Sequence, residues 1–370
     1  MPASFHYHSC PEAALPPGHH LSDRLIISVV IDYNELFSLA NESSVRAIRD
    51  VLLVPTSDID DDEVWELHPP AGDPPVELGH DVRLTQELAG QQAEEIMDAC
   101  EPRGKDVKPT RQFGCQYAFV RELPADEYMS SYAHWDHDEA LLAAFTLSRL
   151  ILDNAYSTEY AARLVEFADD HVQIIPGPVN LEGALAYRAH SGRDWLDAAE
   201  AAELPALLDC YWQREAQLGE RIGNAIWLVE QSARRKYDFE ALLSIVAGLE
   251  ALLNTGPHQN TKQFKQRVPD MARELGVSGL SRSVAGRLYD QRSIAAHGRR
   301  LRLVSPRPDD PAPDYGDRET RAIRELALVQ DVLRAAVRTC IEDPVFAEHF
   351  ADETAVRAKW PVADGDGNPL

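Results

Sequence analysis

The sequence predicts a mainly α-helical protein in which a C-terminal antiparallel helical bundle follows an N-terminal α+β domain. Apolar residues recur at helical spacing through most of residues 204–345. The first 130 residues instead contain short, β-branched runs of the kind that form buried strands. The chain has 370 residues, 44% of them hydrophobic, which is enough for two or three packed domains.

The first 130 residues divide into a loose arm and an α+β domain. Residues 1–20 contain proline, glycine and histidine without periodicity, so we expect a loose arm. Within the α+β domain, residues 21–130, the pattern predicts strands at 25–31, 51–54 and 114–121 and helices at 35–50 and 86–100. We find no motif in this domain to which a chemistry can be attached.

Three segments contain residue types that ligate metals, and each has a simpler interpretation. His6, His8 and Cys10 lie in the arm, where no apolar framework would hold a site. Residues 58–66 carry six acids in nine residues, which is typical of a solvated loop. The run His-Trp-Asp-His-Asp at 134–138 precedes an amphipathic helix, and its aspartates fit N-cap and first-turn positions. We therefore expect no metal and no cofactor.

Changes in periodicity set the remaining boundaries. Residues 131–203 predict a helical connecting region, with a strong helix at 139–152 and a strand-like piece and turn at 171–181. Residues 204–345 predict the bundle, with helices over 204–233 and 238–253 and a long final helix over about 317–341. Between them, Asn260 or Thr261 caps a short helix that Pro269 breaks or restarts. Residues 346–370 are expected to form a C-terminal tail.

Charge and cysteine content limit the functional classes. The formal net charge of −25 argues against a general nucleic-acid coat, because such binding needs a broad basic surface. The five cysteines are odd in number and never in a Cys-x-x-Cys spacing, which suits free thiols in a reducing compartment. The first residues lack a secretory pattern, and no apolar run approaches the ~20 residues of a membrane helix. We expect a cytoplasmic protein with no membrane partner.

The sign of the charge reverses between residues 281 and 307. This stretch contains one acid, Asp290, and seven arginines, at positions 282, 287, 292, 299, 300, 302 and 307. The pattern predicts either a local basic cleft or an arginine-rich helix end that the helix macrodipole stabilises. The sequence leaves both interpretations open.

One carboxylate interrupts the most apolar helix of the chain. Residues 241–253 are apolar apart from Ser244 and Glu250, so this helix is expected to sit centrally in the bundle. A carboxylate there is costly unless it is paired and hydrogen-bonded. Either Glu250 pairs with Arg292 and orients its guanidinium, or it reaches water at the exposed edge of the helix.

Arg292 and His297 carry the functional interpretation. A helix precedes them, and Gly298 is placed to end it. On a straight helix the two side chains would point to different faces, so the last turn must loosen for both to enter one cleft. An arginine that holds a phosphate and a histidine that moves a proton near neutral pH together suffice to cut RNA.

The run Arg-Ser-Ile-Ala-Ala-His-Gly at 292–298 resembles the signature of HEPN domains, most closely those of the ApeA-like branch. The apolar helix at 238–253, the segment at 261–267 and the long final helix are similar to the family's other elements, in the same order. The resemblance implies that residues 204–345 form a HEPN-like helical bundle that pairs with a second copy of itself as a homodimer.

This resemblance also implies a metal-independent RNA endonuclease of a toxin or antiphage defence system, regulated by an antitoxin or a phage-derived trigger. His297 would assist attack of the ribose 2′-hydroxyl, giving a 2′,3′-cyclic phosphate, and Arg292 would hold the phosphate. Glu250 and Ser293 would support them, although nuclease members often carry Asn, Asp or His at the position of Ser293. The basic residues expected to contact RNA in the local cleft are Lys262, Arg267, Arg287, Arg299 and Arg300.

Two other functions remain open at this point. The first is a non-catalytic HEPN module that binds nucleotide or RNA, or senses a phage component. The second is a structural helical adaptor in which Arg292 and His297 are packing residues.

Overall fold

A six-stranded antiparallel sheet and a larger set of helices make up the structure. The computed structural model of the chain describes residues 45–59, 75–86, 95–96, 112–123, 133–153, 161–168, 170–176, 196–233, 238–256, 260–296 and 315–362. Most of these residues are helical, and the sheet lies in the N-terminal half, as the sequence predicts. None of the helices in these ranges is long and apolar enough to cross a membrane.

The sheet is organised around its longest strand. In chain order its strands are β1 (Val45–Ile59), β2 (Val76–Gly79), β3 (Val82–Thr85), β4 (Gln112–Leu123), β5 (Ala161–Phe167) and β6 (Val172–Pro176). Their order in the sheet is β2-β3-β4-β1-β5-β6, so β1 pairs with β4 on one side and β5 on the other. Alternate residues of β1 enter different cores, because Leu52 packs towards the helices while Val51 and Leu53 pack on the opposite face.

Several strand predictions are confirmed and two interpretations are wrong. The strands expected at 51–54 and 114–121 lie within β1 and β4, and the strand-like piece at 171–181 contains β6. Residues 45–50, expected to be helical, are strand because they pair with both β4 and β5. Residues 131–203 are not a helical connection, since β5 and β6 belong to the sheet. The strand expected at 25–31 and most of the helix expected at 86–100 lie outside the described residues.

Nine helices are described. They are α1 (Ala133–Ile151), α2 (Ala198–Arg214), α3 (Gly219–Ala233), α4 (Asp238–Leu253), α5 (Asn260–Glu274), α6 (Arg282–Ala296), α7 (Tyr315–Glu342), α8 (Pro344–Glu348) and α9 (Glu353–Lys359). Helix α4 packs against α3, α5, α6 and α7, so the central position predicted from its apolar composition is confirmed. Helix α1 joins the bundle to the sheet, where Phe145 meets Phe119 edge to face at 6.1 Å between ring centroids.

Three helix boundaries differ from the prediction. The helix expected over 204–233 is two helices. A 3-10 turn follows α2, and α3 begins at Gly219, whose φ of 74° breaks the helical path. Pro269 does not interrupt α5, since it is buried on the packed face together with Val268. Helix α1 begins at Ala133, so the run at 134–138 forms its first turns and does not precede it.

The expected C-terminal tail is ordered structure as far as residue 362. Helices α8 and α9 fold back on the bundle, and Phe346, Phe350 and Trp360 are buried together, with 5.2 Å between the ring centroids of Phe350 and Trp360. Asp343 and Asp352 cap the two helices by accepting backbone N–H groups. The prediction of a tail over 346–370 is therefore wrong for residues 346–362.

Three arginines fix the C-terminal end of α4. Arg221 of α3 donates to the carbonyl oxygens of residues 251, 252 and 254, at 2.9 to 3.3 Å. Arg267 of α5 donates to the carbonyl of residue 253 at 2.6 Å, and Arg357 of α9 to that of residue 255 at 2.9 Å. Five consecutive carbonyl groups at a helix end, where intrahelical partners run out, thus receive guanidinium donors.

Arg267 is a structural residue and not a contact for RNA. It is 1% exposed, and it also donates to the side chains of Thr255 and Gln263 and to the Trp360 carbonyl. Burial, with Arg357 and Arg221 nearby, lowers the pKa of Arg267 to about 10. The RNA-binding role predicted for Arg267 is wrong, because α9 and the end of α4 enclose the side chain.

Replacing Arg267 by Met should destabilise the bundle by about 3 kcal/mol or more, because several buried acceptors lose their donor at once. Urea unfolding followed by circular dichroism measures the change. Arg273→Met is the matched control on the same helix, since Arg273 is 76% exposed and, among the described residues, pairs with Asp270 alone. We expect the control to change stability by under about 0.5 kcal/mol. Equal effects of the two substitutions would contradict the assignment.

Candidate functional site

Glu250 and Arg292 meet between α4 and α6. The Arg292 Nη2 donates to Glu250 Oε2 at 2.8 Å, and the Tyr289 hydroxyl donates to Glu250 Oε1 at 2.9 Å. The Glu250 side chain is 11% exposed and the Arg292 side chain 31%. Of the two alternatives for Glu250, the pairing with Arg292 is therefore the one that the structure contains.

Tyr289 is the part of this site that the sequence interpretation missed. It lies one turn before Arg292 on α6, and its ring contacts Phe264 with 5.1 Å between centroids. The Arg292 guanidinium stands 5.7 Å from the centre of the Tyr289 ring. The i, i+3 spacing of Tyr289 and Arg292 was the available signal, because such residues share a helix face.

The Tyr289 hydroxyl is a permanent donor. Burial, and then the hydrogen bond to Glu250, raise the pKa of Tyr289 to about 12. The phenol therefore stays protonated throughout the physiological pH range. Both oxygens of Glu250 accept hydrogen bonds, one from Tyr289 and one from Arg292, so this carboxylate orients its neighbours and does not act as a free base.

The Arg292 guanidinium keeps donors for a ligand. Within the described ranges, Glu250 is the only hydrogen-bond acceptor that it contacts, through a single N–H group. A guanidinium carries five N–H donors, and the Arg292 side chain is 31% exposed. Because Glu250 neutralises the charge of Arg292, an anion would be held here mainly by directed hydrogen bonds.

The described arginines of α6 do not form a basic cleft by themselves. Each lies near a carboxylate from another helix, in the pairs Arg282 with Asp270, Arg287 with Glu325 and Arg292 with Glu250. These acids belong to α5, α7 and α4, and are distant from residues 281–307 in sequence. Residues 281–307 are strongly basic when their charges are counted along the sequence. In the folded protein, acids from other helices lie beside the first three arginines of this segment.

Arg287 is committed to an ion pair inside the bundle. Its Nε and Nη2 both donate to Glu325 of α7, at 3.4 and 2.5 Å, and its Nη1 donates to Ser283 at 2.9 Å. Glu325 is buried, so this pair holds α6 against α7. Removing this guanidinium from Glu325 would leave a buried charge unpaired, so Arg287 has a structural role, and its contact with RNA stays a prediction.

Of the other residues predicted for the site, some lie in the described ranges and some do not. Lys262 of α5 and Ser293 of α6 are half-buried, and Ser293 directly follows Arg292. His297, Arg299 and Arg300 lie outside the described residues, as do His6, His8 and Cys10. Across the ranges that the structure describes, no three His, Cys, Asp or Glu side chains are grouped to hold a metal ion.

The site thus consists of a neutral phenol, a shared carboxylate and a partly exposed guanidinium, and Arg292 precedes His297 by five residues in the sequence. Comparison of the chain with protein-family models, curated proteins and solved structures finds no match.

Proposed function

We propose that this chain is a metal-independent RNA endonuclease of the HEPN type. The observation that supports the proposal best is the fixed position of Arg292, which Glu250 and Tyr289 hold while part of its guanidinium stays exposed. Five residues further along the chain is His297, and histidine is the residue type most often used to transfer protons in catalysis. A phosphate-binding donor and a proton-transferring group then lie on one short segment.

In the proposed reaction the ribose 2′-hydroxyl is the nucleophile. Its oxygen attacks the adjacent phosphorus, the bond from phosphorus to the 5′-oxygen breaks, and His297 assists the transfer of protons. Arg292 holds the phosphate and stabilises the negative charge that develops on its oxygens. The products are a 2′,3′-cyclic phosphate and a 5′-hydroxyl end, so the proton lost by the nucleophile is balanced by the one gained by the leaving oxygen.

The proposal extends to the surroundings of the enzyme. Two copies pack through their bundles as a homodimer in the cytoplasm, and the two Arg292–His297 pairs line a shared cleft. Arg299, Arg300 and Lys262 supply positive charge along the RNA, and the Ser293 hydroxyl hydrogen bonds to the phosphate. An antitoxin or a phage-derived component controls the activity as part of a toxin or antiphage defence system.

A structural adaptor is the second candidate, and the neutralised charges favour it. Arg292, like Arg282 and Arg287, lies near a carboxylate of another helix, as in an ordinary packed bundle. In that case Arg292 satisfies Glu250 and has no ligand. The two candidates differ in an observable result. A nuclease cleaves RNA and loses that activity when Arg292 or His297 is replaced in a folded protein, whereas an adaptor does not cleave RNA at all.

Substituting His297 or Arg292 by Ala should remove RNA cleavage. We expect His297→Ala to abolish degradation of total cellular RNA on expression, and Arg292→Ala to lower it by about 100-fold or more. Gel analysis of cellular RNA measures the first, and the cleavage rate of a labelled RNA with purified protein measures the second.

Two matched controls accompany this experiment. Arg338 has the same 31% exposure as Arg292 and the same 2.8 Å contact with a carboxylate, that of Glu203. It also pairs with Glu342 at 2.9 Å, so Arg338→Ala tests the loss of ordinary ion pairs. His80→Ala removes an exposed histidine from the β2–β3 turn. Both controls should cleave RNA as the wild type does. Undiminished cleavage by His297→Ala would refute the nuclease.

Cleavage should persist in excess EDTA. The nucleophile is a ribose hydroxyl, so the reaction needs no metal-bound water. The cleavage rate of purified protein is measured with EDTA and then with added Mg²⁺, and we expect rates within about twofold of each other. Loss of cleavage on chelation, restored by Mg²⁺, would contradict the proposal and direct attention to residues 58–66 and 134–138.

A further inference from the structure

We propose that Tyr289 is a positioning residue, which holds one oxygen of Glu250 so that the Arg292 guanidinium stays directed at an RNA phosphate. This inference rests on the proposed function and adds a residue to the same site. Its basis is that the two oxygens of the Glu250 carboxylate accept hydrogen bonds from two different residues. Glu250 Oε1 accepts from Tyr289, and Glu250 Oε2 accepts from Arg292.

In two other pairs of the same protein, one arginine donates to both oxygens of a carboxylate. Asp50 accepts from Arg163 with both oxygens, from Nε at 2.7 Å and from Nη2 at 3.2 Å. Glu325 likewise accepts from Nε and Nη2 of Arg287. The two-bond arrangement is the favoured geometry for arginine and carboxylate. Glu250 differs from both in giving Arg292 a single oxygen.

Tyr289 is held in the position from which it donates to Glu250. Its ring is buried against Phe264, and its hydroxyl donates to Glu250. The raised pKa, about 12, keeps the hydroxyl a donor at physiological pH. Without that donor, Glu250 Oε1 would lose its hydrogen bond, and Arg292, which already bonds the other oxygen of the same carboxylate, would offer a second N–H group to replace it.

The consequence concerns the ligand. A second bond to Glu250 would turn the plane of the Arg292 guanidinium towards the carboxylate and away from the exposed side. A phosphodiester has two non-bridging oxygens, whose spacing fits two N–H groups of one guanidinium. Tyr289 therefore favours binding of a phosphodiester over closure of the internal ion pair.

Tyr289→Phe tests this role, because it keeps the packed ring and removes only the hydroxyl. The matched control is Tyr211→Phe, which removes the hydrogen bond of a tyrosine to Glu215 at 3.1 Å, from a ring 5.0 Å from Trp212. The probe is a fluorescent 2′-O-methyl RNA oligonucleotide, which binds but lacks the attacking hydroxyl. We expect Tyr289→Phe to weaken its binding about tenfold, and Tyr211→Phe to leave it unchanged.

A second measurement does not depend on RNA. The NMR resonance of the Arg292 Nε–H group, assigned by its loss in Arg292→Lys, reports whether this group bonds a carboxylate. We expect the resonance to move downfield in Tyr289→Phe, as Glu250 takes the second N–H, and to stay in place in Tyr211→Phe. Melting temperatures of the two variants show that both remain folded, and a purely packing role for Tyr289 would not move the resonance.

The outcomes separate this inference from the proposed function. Unchanged oligonucleotide affinity in Tyr289→Phe, where the wild type binds and cleaves RNA, overturns the role of Tyr289 alone. A wild type that neither binds the oligonucleotide nor cleaves RNA overturns the nuclease, and with it the phosphate as ligand. In that event the Arg292 resonance still shows whether Tyr289 keeps Arg292 from forming a second bond to Glu250. A resonance that does not move in Tyr289→Phe overturns this role as well.

Discussion

The hydrogen bonding of Glu250 is the constraint on which the rest of the bundle depends. Helix α4 is apolar because it packs against four other helices, so a carboxylate on it must find donors within the protein. Tyr289 and Arg292 of α6 supply those donors, and Phe264 of α5 packs against the Tyr289 ring. Three helices thereby converge on one acidic side chain. The same convergence leaves a guanidinium fixed in direction and partly open to solvent.

Arginine has two structural uses in this acidic protein, and both restrict where RNA could bind. Some arginines pair with carboxylates across helices, as Arg287 does with Glu325. Others donate to the carbonyl groups at helix ends, as Arg221 and Arg267 do for α4, and as Arg214 does for residues 340 and 341 of α7. These hydrogen bonds occupy donors that a polyanion would otherwise contact. Under the proposed function, RNA would be held by a few directed donors such as those of Arg292.

The sequence predicted elements with one strong periodicity and missed those fixed by distant partners. Helix α4 and the long helix α7 were predictable because their apolar residues repeat at helical spacing on their own. Strand β5 was not, since Ala161–Phe167 mixes charges with apolar residues and becomes strand through pairing with β1. Glu250 was recognised as needing a partner, whereas Tyr289 was missed because a tyrosine on an apolar face is usually core. Arg267 was misinterpreted because sequence does not show burial.

Under the proposed function, Arg292 is held by Glu250 and binds the phosphate that reacts. Arg292→Lys tests this claim most directly, because lysine keeps the positive charge that Glu250 requires but lacks the planar pair of donors that fits a phosphate. The decisive measurement is the RNA cleavage rate of this variant, taken together with its free energy of unfolding. We expect the free energy to stay within about 1 kcal/mol of the wild type and the rate to fall at least about tenfold. Cleavage at the wild-type rate by the folded lysine variant would contradict the account.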